Sequence, residues 1–157
     1  MKTELPRRKP HRLLTHDYSA PGAYFITFCT QNRRNLLWET GTIAQLSPVG
    51  EIVRRTIEKI PDVYPVVQID TYTVMPNHVH LLLQIHADEN GMTQPAPSIS
   101  RIVQQLKGHI TRETGENVWQ KLFHDHIIRT EADYLAIYQY IAHNPAQWQE
   151  DCFYMPD

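Results

Sequence analysis

The run Met75-Pro76-Asn77-His78-Val79-His80-Leu81-Leu82-Leu83 constrains this chain more than any other stretch. The β-branched segment 66–74 precedes it and Leu-Leu-Leu-Gln-Ile closes it, so two strand-like runs meet at Pro76-Asn77. Proline pre-sets φ for the first central position of a turn, and asparagine tolerates the second. The pattern predicts a β-hairpin whose second strand begins with two histidines. Side chains alternate faces along a strand, so His78, His80, Leu82 and Gln84 share one face and Val79, Leu81, Leu83 and Ile85 the other. The apolar set must face the core. Two imidazoles side by side on the opposite face read either as solvated surface histidines, ordinary in a chain with nine, or as half of a metal site. A metal site needs a third ligand from elsewhere.

A length of 157 residues fits one domain spanning 1–157. No apolar run approaches the ~18 residues of a membrane span, and the first residues lack a signal-peptide core. With Cys29 and Cys152 in no metal or redox spacing, the chain reads as cytoplasmic and reduced. Residues 1–38 hold seven Lys/Arg against two Asp/Glu, whereas 39–157 hold eight against fifteen. Lys2, Arg7, Arg8, Lys9 and Arg12 form a basic arm over residues 1–18, and Arg33 and Arg34 a second pair; such clusters suit phosphates, although an arm can equally be solvated.

After the arm, 23–30 reads as a strand, 48–61 as a helix stopped by Pro61, and 86–97 as a loop. A second helix spans about 98–113, with Lys107 off its apolar stripe, and 121–129 reads as a short strand. That strand carries a competing pair, His124-Asp125-His126. A last helix starts at Thr130 with a capping-box-like Thr130-Glu131-Ala132-Asp133 and ends or kinks at Pro145. Leu135, Tyr138 and Ala142, with Tyr134, Ile137 and Ile141 beside them, are expected in the core. Asp133, Ala136, Tyr140, His143, Asn144 and Gln147 make a separate polar stripe. The first six elements give an α+β, ferredoxin-like (split βαβ) fold: a four-stranded antiparallel sheet with two helices on one face. The face bearing His78 and His80 is then open, and the additional C-terminal helix could lay Tyr140 and Asn144 over it.

A divalent ion held by two imidazoles and an amide carbonyl keeps positions open to polarise a phosphoryl oxygen. A tyrosine beside it can act as a covalent nucleophile. The phosphotyrosine bond would conserve the energy of the cleaved phosphodiester, so this chemistry reads as DNA strand transfer.

These residues also carry a family resemblance. Met75 to Leu83 resembles the HUH motif (His, hydrophobic, His) of single-tyrosine transposases of insertion sequences. Tyr140-Ile-Ala-His-Asn144-Pro145 resembles the tyrosine helix of REP-associated tyrosine transposases. Arg12-Leu-Leu-Thr-His-Asp17-Tyr18, the segment 22–30, and Trp119-Gln120 with His126-Ile-Ile-Arg129 extend the likeness over nearly the whole chain. The resemblance implies Mg²⁺ or Mn²⁺ on His78, His80 and Asn144, with His143 the substitute for Asn144. It implies attack by Tyr140 to leave a 5′-phosphotyrosine and a free 3′-OH. The substrate would be single-stranded DNA with a palindromic hairpin, and the expected DNA contacts are Arg7, Arg8, Lys9, Arg12, Arg33, Arg34, Lys107, His126 and Arg129. A monomer and a homodimer both fit, Tyr140 serving its own sheet or a partner's. The rival readings are a non-catalytic RRM-like domain that stacks bases on its open sheet and a metal nuclease that hydrolyses with water.

Overall fold

The computed structural model describes residues 22–87 and 97–156. The expected loop 86–97 is therefore described only at its two ends, and the arm with Arg7, Arg8, Lys9 and Arg12 lies outside the described residues. Four strands, β1 (Gly22–Cys29), β2 (Val67–Val74), β3 (His78–Ile85) and β4 (His124–Ile128), form an antiparallel sheet ordered β2-β3-β1-β4. Helix α1 (Pro48–Glu58), the single turn α2 (Ile60–Val63) and helix α3 (Ile99–Thr114) connect them. Pro61 does end the first helix, but it also opens α2, where its missing N–H costs nothing.

The period-2 pattern of β3 sorts as expected. Val79, Leu81, Leu83 and Ile85 join Tyr24, Ile26 and Phe28 of β1 in a core completed by Val53 and Ile57 of α1 and Ile102, Val103, Leu106 and Ile110 of α3. Burying each such side chain contributes about 1.5–3 kcal/mol. Ser47, Ser98 and Thr130 cap the three long helices, each hydroxyl accepting from the amide three residues on. Gly50 has a packing reason: a Cβ there would overlap the Leu37 carbonyl, so α1 can lie close against the segment after β1.

Helix α4 (Glu131–His143) packs on the other face, against β2, β3 and β4. Its burial corrects the sequence reading. Ile141 is the buried residue, Tyr134 and Ile137 are half-buried, and Leu135, Tyr138 and Ala142 are exposed. A helix lying on a polar sheet face buries only a narrow strip, and no described layer covers its outer side. Asn144 keeps α geometry despite the following proline, and a 3₁₀ segment, Asn144–Glu150, carries the chain back across the sheet. The histidine face is consequently closed: His78 is 0% and His80 2% exposed.

Candidate active site

The turn between β2 and β3 positions the first histidine. Pro76 and Asn77 present their carbonyls to the amides of Leu37 and Thr30, which ties the hairpin tip to the segment after β1. The Asn77 side chain is fully buried. Its Nδ2 donates to the carbonyls of Phe153 (2.7 Å) and Arg33 (3.3 Å), and its Oδ1 lies 2.8 Å from His78 Nδ1. Two carbonyl acceptors fix the orientation of the amide, so Oδ1 must accept a proton from Nδ1. His78 Nε2 is thereby turned toward His80. Across the strands, Thr27 pairs with His80, and its Oγ1 sits 2.8 Å from His80 Nδ1. Such outer partners are how metal-binding imidazoles are oriented.

The two Nε2 atoms are 3.1 Å apart. Burial, with the neighbouring His78, pushes His80 down to about 3, which keeps that ring neutral. A third group converges on them. Asp151 folds into an Asx turn, Oδ1 accepting from Phe153 N at 2.8 Å. That turn directs Oδ2 toward His78 Nε2 at 3.6 Å, on a side chain 1% exposed. Burial opposes the Asp151 charge, but His78 and the Phe153 amide outweigh it and hold the carboxyl below its usual range. Among the described residues Oδ2 has no hydrogen-bond partner. The ligand atoms of His78, His80 and Asp151 all lie within 4.8 Å of one another, the one such cluster among the described residues. Two imidazole nitrogens and an unsatisfied carboxylate oxygen are a donor set that fits a divalent cation.

Tyr140 lies over this cluster in its own chain. Its ring centroid is 5.3 Å from His80 and 6.5 Å from Phe25, and Phe25 stacks on His80 at 5.3 Å. Burial and the Asp151 charge raise the Tyr140 phenol above its ordinary range, while the Asn144 amide opposes the shift. Asn144 is 3% exposed, yet its Nδ2 meets no acceptor in regular hydrogen-bond geometry among the described residues. We read this as an approach to the phenol rather than a formed bond. His143, the substitute ligand, points outward and its Nδ1 lies 2.8 Å from the Gln139 carbonyl. The competing tyrosines face other groups. Tyr134 donates to Asp70 Oδ2 at 2.6 Å, and burial and that carboxylate push it up to about 12. Tyr138 is exposed beside it.

The remaining expected contacts are scattered. Arg33 and Arg34 follow β1, Arg33 with its guanidinium 5.4 Å from the Phe153 ring centroid. Lys107 donates to the carbonyls of Gln120 (2.8 Å) and Leu122 (3.3 Å). His126 is 2.7 Å from Asp133, and Arg129 is exposed between β4 and α4. The sheet face that an RRM-like domain would leave bare carries α4. Sequence reasoning missed Asn77, Thr27 and Asp151. Asn77 was legible only as a turn former, Thr27 only as a strand residue, and Asp151 had as its signal the Asx-forming Asp-Cys-Phe beyond Pro145.

Residues 22–144 match the model of the family described as "Transposase IS200 like". That span includes His78, His80, Tyr140 and Asn144 and stops short of Asp151. A Haemophilus influenzae protein described as uncharacterized is 34% identical over 94% of this chain and 93% of its own length. The REP-associated tyrosine transposase of Escherichia coli is 27% identical over 83% of this chain and 70% of its own. A solved structure of a REP-associated tyrosine transposase bound to a REP hairpin superposes with a TM-score of 0.66 at 26% identity, covering 87% of this chain and 73% of that one. A crystal structure of a possible transposase from Deinococcus radiodurans, at 21% identity and a TM-score of 0.50, shares the fold. The chain belongs to the IS200-like transposase family, whose members are tyrosine transposases.

Proposed function

We propose that this enzyme cleaves and rejoins single-stranded DNA through a 5′-phosphotyrosine on Tyr140, with a divalent cation, Mg²⁺ or Mn²⁺, held by His78, His80 and Asp151 and by the Asn144 carbonyl. The observation that carries the reading is Tyr140 set against His80 above an unsatisfied histidine–carboxylate cluster. The cation would supply Lewis-acid polarisation of the scissile phosphate. Tyr140 Oη forms the new bond to phosphorus as the P–O3′ bond breaks; the phenol proton passes to solvent and the leaving 3′ oxygen takes a proton from it, giving the free 3′-OH. Asn77 and Thr27 hold the imidazoles still, and the Asn144 amide favours the ionised phenol. The likeness to an enzyme solved with a REP hairpin supports a hairpin-bearing DNA as substrate. The proximity of Tyr140 to the histidines of its own chain supports cleavage in cis. Arg7, Arg8, Lys9 and Arg12 would add phosphate contacts, and their neutralisation should flatten the salt dependence of binding.

The test is an adduct assay. Single-stranded hairpin DNA is incubated with Mg²⁺ or Mn²⁺ and the wild type, Tyr134→Phe, Tyr138→Phe or Tyr140→Phe, then run on a denaturing gel. A covalent adduct in all but Tyr140→Phe supports the reading. Cleavage without any adduct would instead mean hydrolysis by water, and an adduct surviving in Tyr140→Phe would move the nucleophile.

A further inference from the structure

Strand β2 lies at one edge of the sheet and breaks register once. Ile69 pairs with Leu83 and Thr71 with Leu82, so Asp70 is the extra residue of a β-bulge. The bulge resets which way the side chains face. Ile69 and Tyr72 both pack against the helix-covered core, whereas strict alternation would put them on opposite faces. Asp70 turns to the α4 side instead. There its Oδ2 accepts from Tyr134 Oη of α4 at 2.6 Å and from Gln84 Nε2 of β3 at 2.7 Å, and its Oδ1 accepts from Gln68 Nε2 at 2.6 Å. Gln68 is braced in turn by His86, whose Nε2 lies 2.9 Å from its Oε1. Three donors fix the carboxylate, and the one that belongs to α4 is a tyrosine with no part in bond making.

Helix α4 needs such a tie. Ile141 is its buried residue, so apolar packing alone holds the helix weakly against rotation about its axis. A second tether, His126 to Asp133, is 54% and 36% exposed at its two ends and contributes little in solvent. Tyr140 stands beyond Tyr134 on the same helix, about 9 Å along the axis at ~1.5 Å per residue. A roll of about 10° carries a side-chain tip about 6 Å from that axis through about 1 Å. A misplacement of that size costs up to about 10²-fold in rate. Resting on the reading of Tyr140 as nucleophile, we propose that Asp70 and Tyr134 are positioning residues. Their hydrogen bond sets the rotation of α4 and so aims the Tyr140 phenol at His78 and His80. The bulge in β2 is what brings the carboxylate to the helix.

The test follows single-turnover adduct formation by the full-length protein with Mn²⁺ over a range of concentrations of single-stranded hairpin DNA. Tyr134→Phe and Asp70→Ala should lower the rate at saturating DNA about 10–100-fold, while the half-saturating DNA concentration stays near wild type. A purely stabilising contact would shift the urea midpoint and leave the rate per folded molecule unchanged. Asp70→Asn keeps an oxygen for the Tyr134 hydroxyl and should recover most of the rate. Asp70→Ala/Tyr134→Phe should be no slower than Asp70→Ala, because one bond cannot be lost twice. Tyr72→Phe removes a tyrosine–carboxylate bond of the same strand, to Glu58 on the core side, and should run at the wild-type rate. Rates within about twofold of wild type in both Tyr134→Phe and Asp70→Ala, or a loss confined to DNA half-saturation, would overturn the assignment. The adduct itself separates the two ideas. A Tyr140-dependent adduct formed at undiminished rate removes the positioning role and leaves the transposase reading standing. An adduct surviving in Tyr140→Phe removes the reading and the role with it.

Discussion

Val79, Leu81, Leu83 and Ile85 point from β3 toward α1 and α3, while His78, His80 and Leu82, one residue out of step, point toward α4 and the tail. On the first face these four side chains are apolar and add stability without demanding a partner. On the second, His78, His80, Thr27, Thr73, Asn77 and Asn144 are all buried and polar, and each costs about 1–3 kcal/mol wherever its hydrogen bonds fail. Asp151 Oδ2 and Asn144 Nδ2 do lack partners among the described residues. One sheet thus separates folding from chemistry by a single-residue offset, and the chemical face holds its groups less satisfied than stability alone would choose.

Four substitutions probe that separation. Tyr140→Phe should have the largest effect, at least ~10³-fold on cleavage, with stability in urea unchanged within about 0.5 kcal/mol; a comparable loss of stability would show that α4 depends on its nucleophile to fold. Leu83→Ala on the helix face should cost about 2–5 kcal/mol in urea denaturation yet leave cleavage per folded molecule near wild type. If that rate collapses too, the faces are not independent. Asp151→Asn, whose Oδ1 can still accept from Phe153 N, should weaken Mn²⁺ binding by about tenfold or more in titration calorimetry. Unchanged Mn²⁺ affinity would leave Asn144 as the oxygen ligand. Thr130→Ala, which removes the α4 cap, should cost about 1 kcal/mol and alter cleavage only slightly; a large catalytic loss would mean that the start of α4 governs the placement of Tyr140.

The legible parts were those with a local period. The offset in β3 follows from alternation, and the stripes of α1 and α3 from helical spacing, so sheet and covering helices could be drawn from the chain alone. His78, His80 and Tyr140 were singled out because their neighbours form recognisable short patterns. Helix α4 misled because Leu135 and Tyr138 look like core residues only if a layer lies on each side of them. Asp151, signalled only by its turn-forming neighbours, could not be placed at the site for another reason. Its position depends on an Asx turn after a 3₁₀ segment, and no periodicity links residue 151 to residue 78. The match to the family model also ends before it.

Asn77 carries a consequence for the ageing of the molecule. Asparagine is among the thermolabile side chains, and loss of its amide nitrogen leaves aspartate, nearly identical in shape. At this position the new carboxylate could still accept from His78, but it would set an anion against the carbonyls of Arg33 and Phe153, which now accept protons from Nδ2. The hairpin tip and the tail would repel where they are now joined, and the segment bearing Asp151 would lose its hold beside the histidines. One slow hydrolysis, silent in mass but for a single unit, would retire the site while leaving the helix-covered core intact.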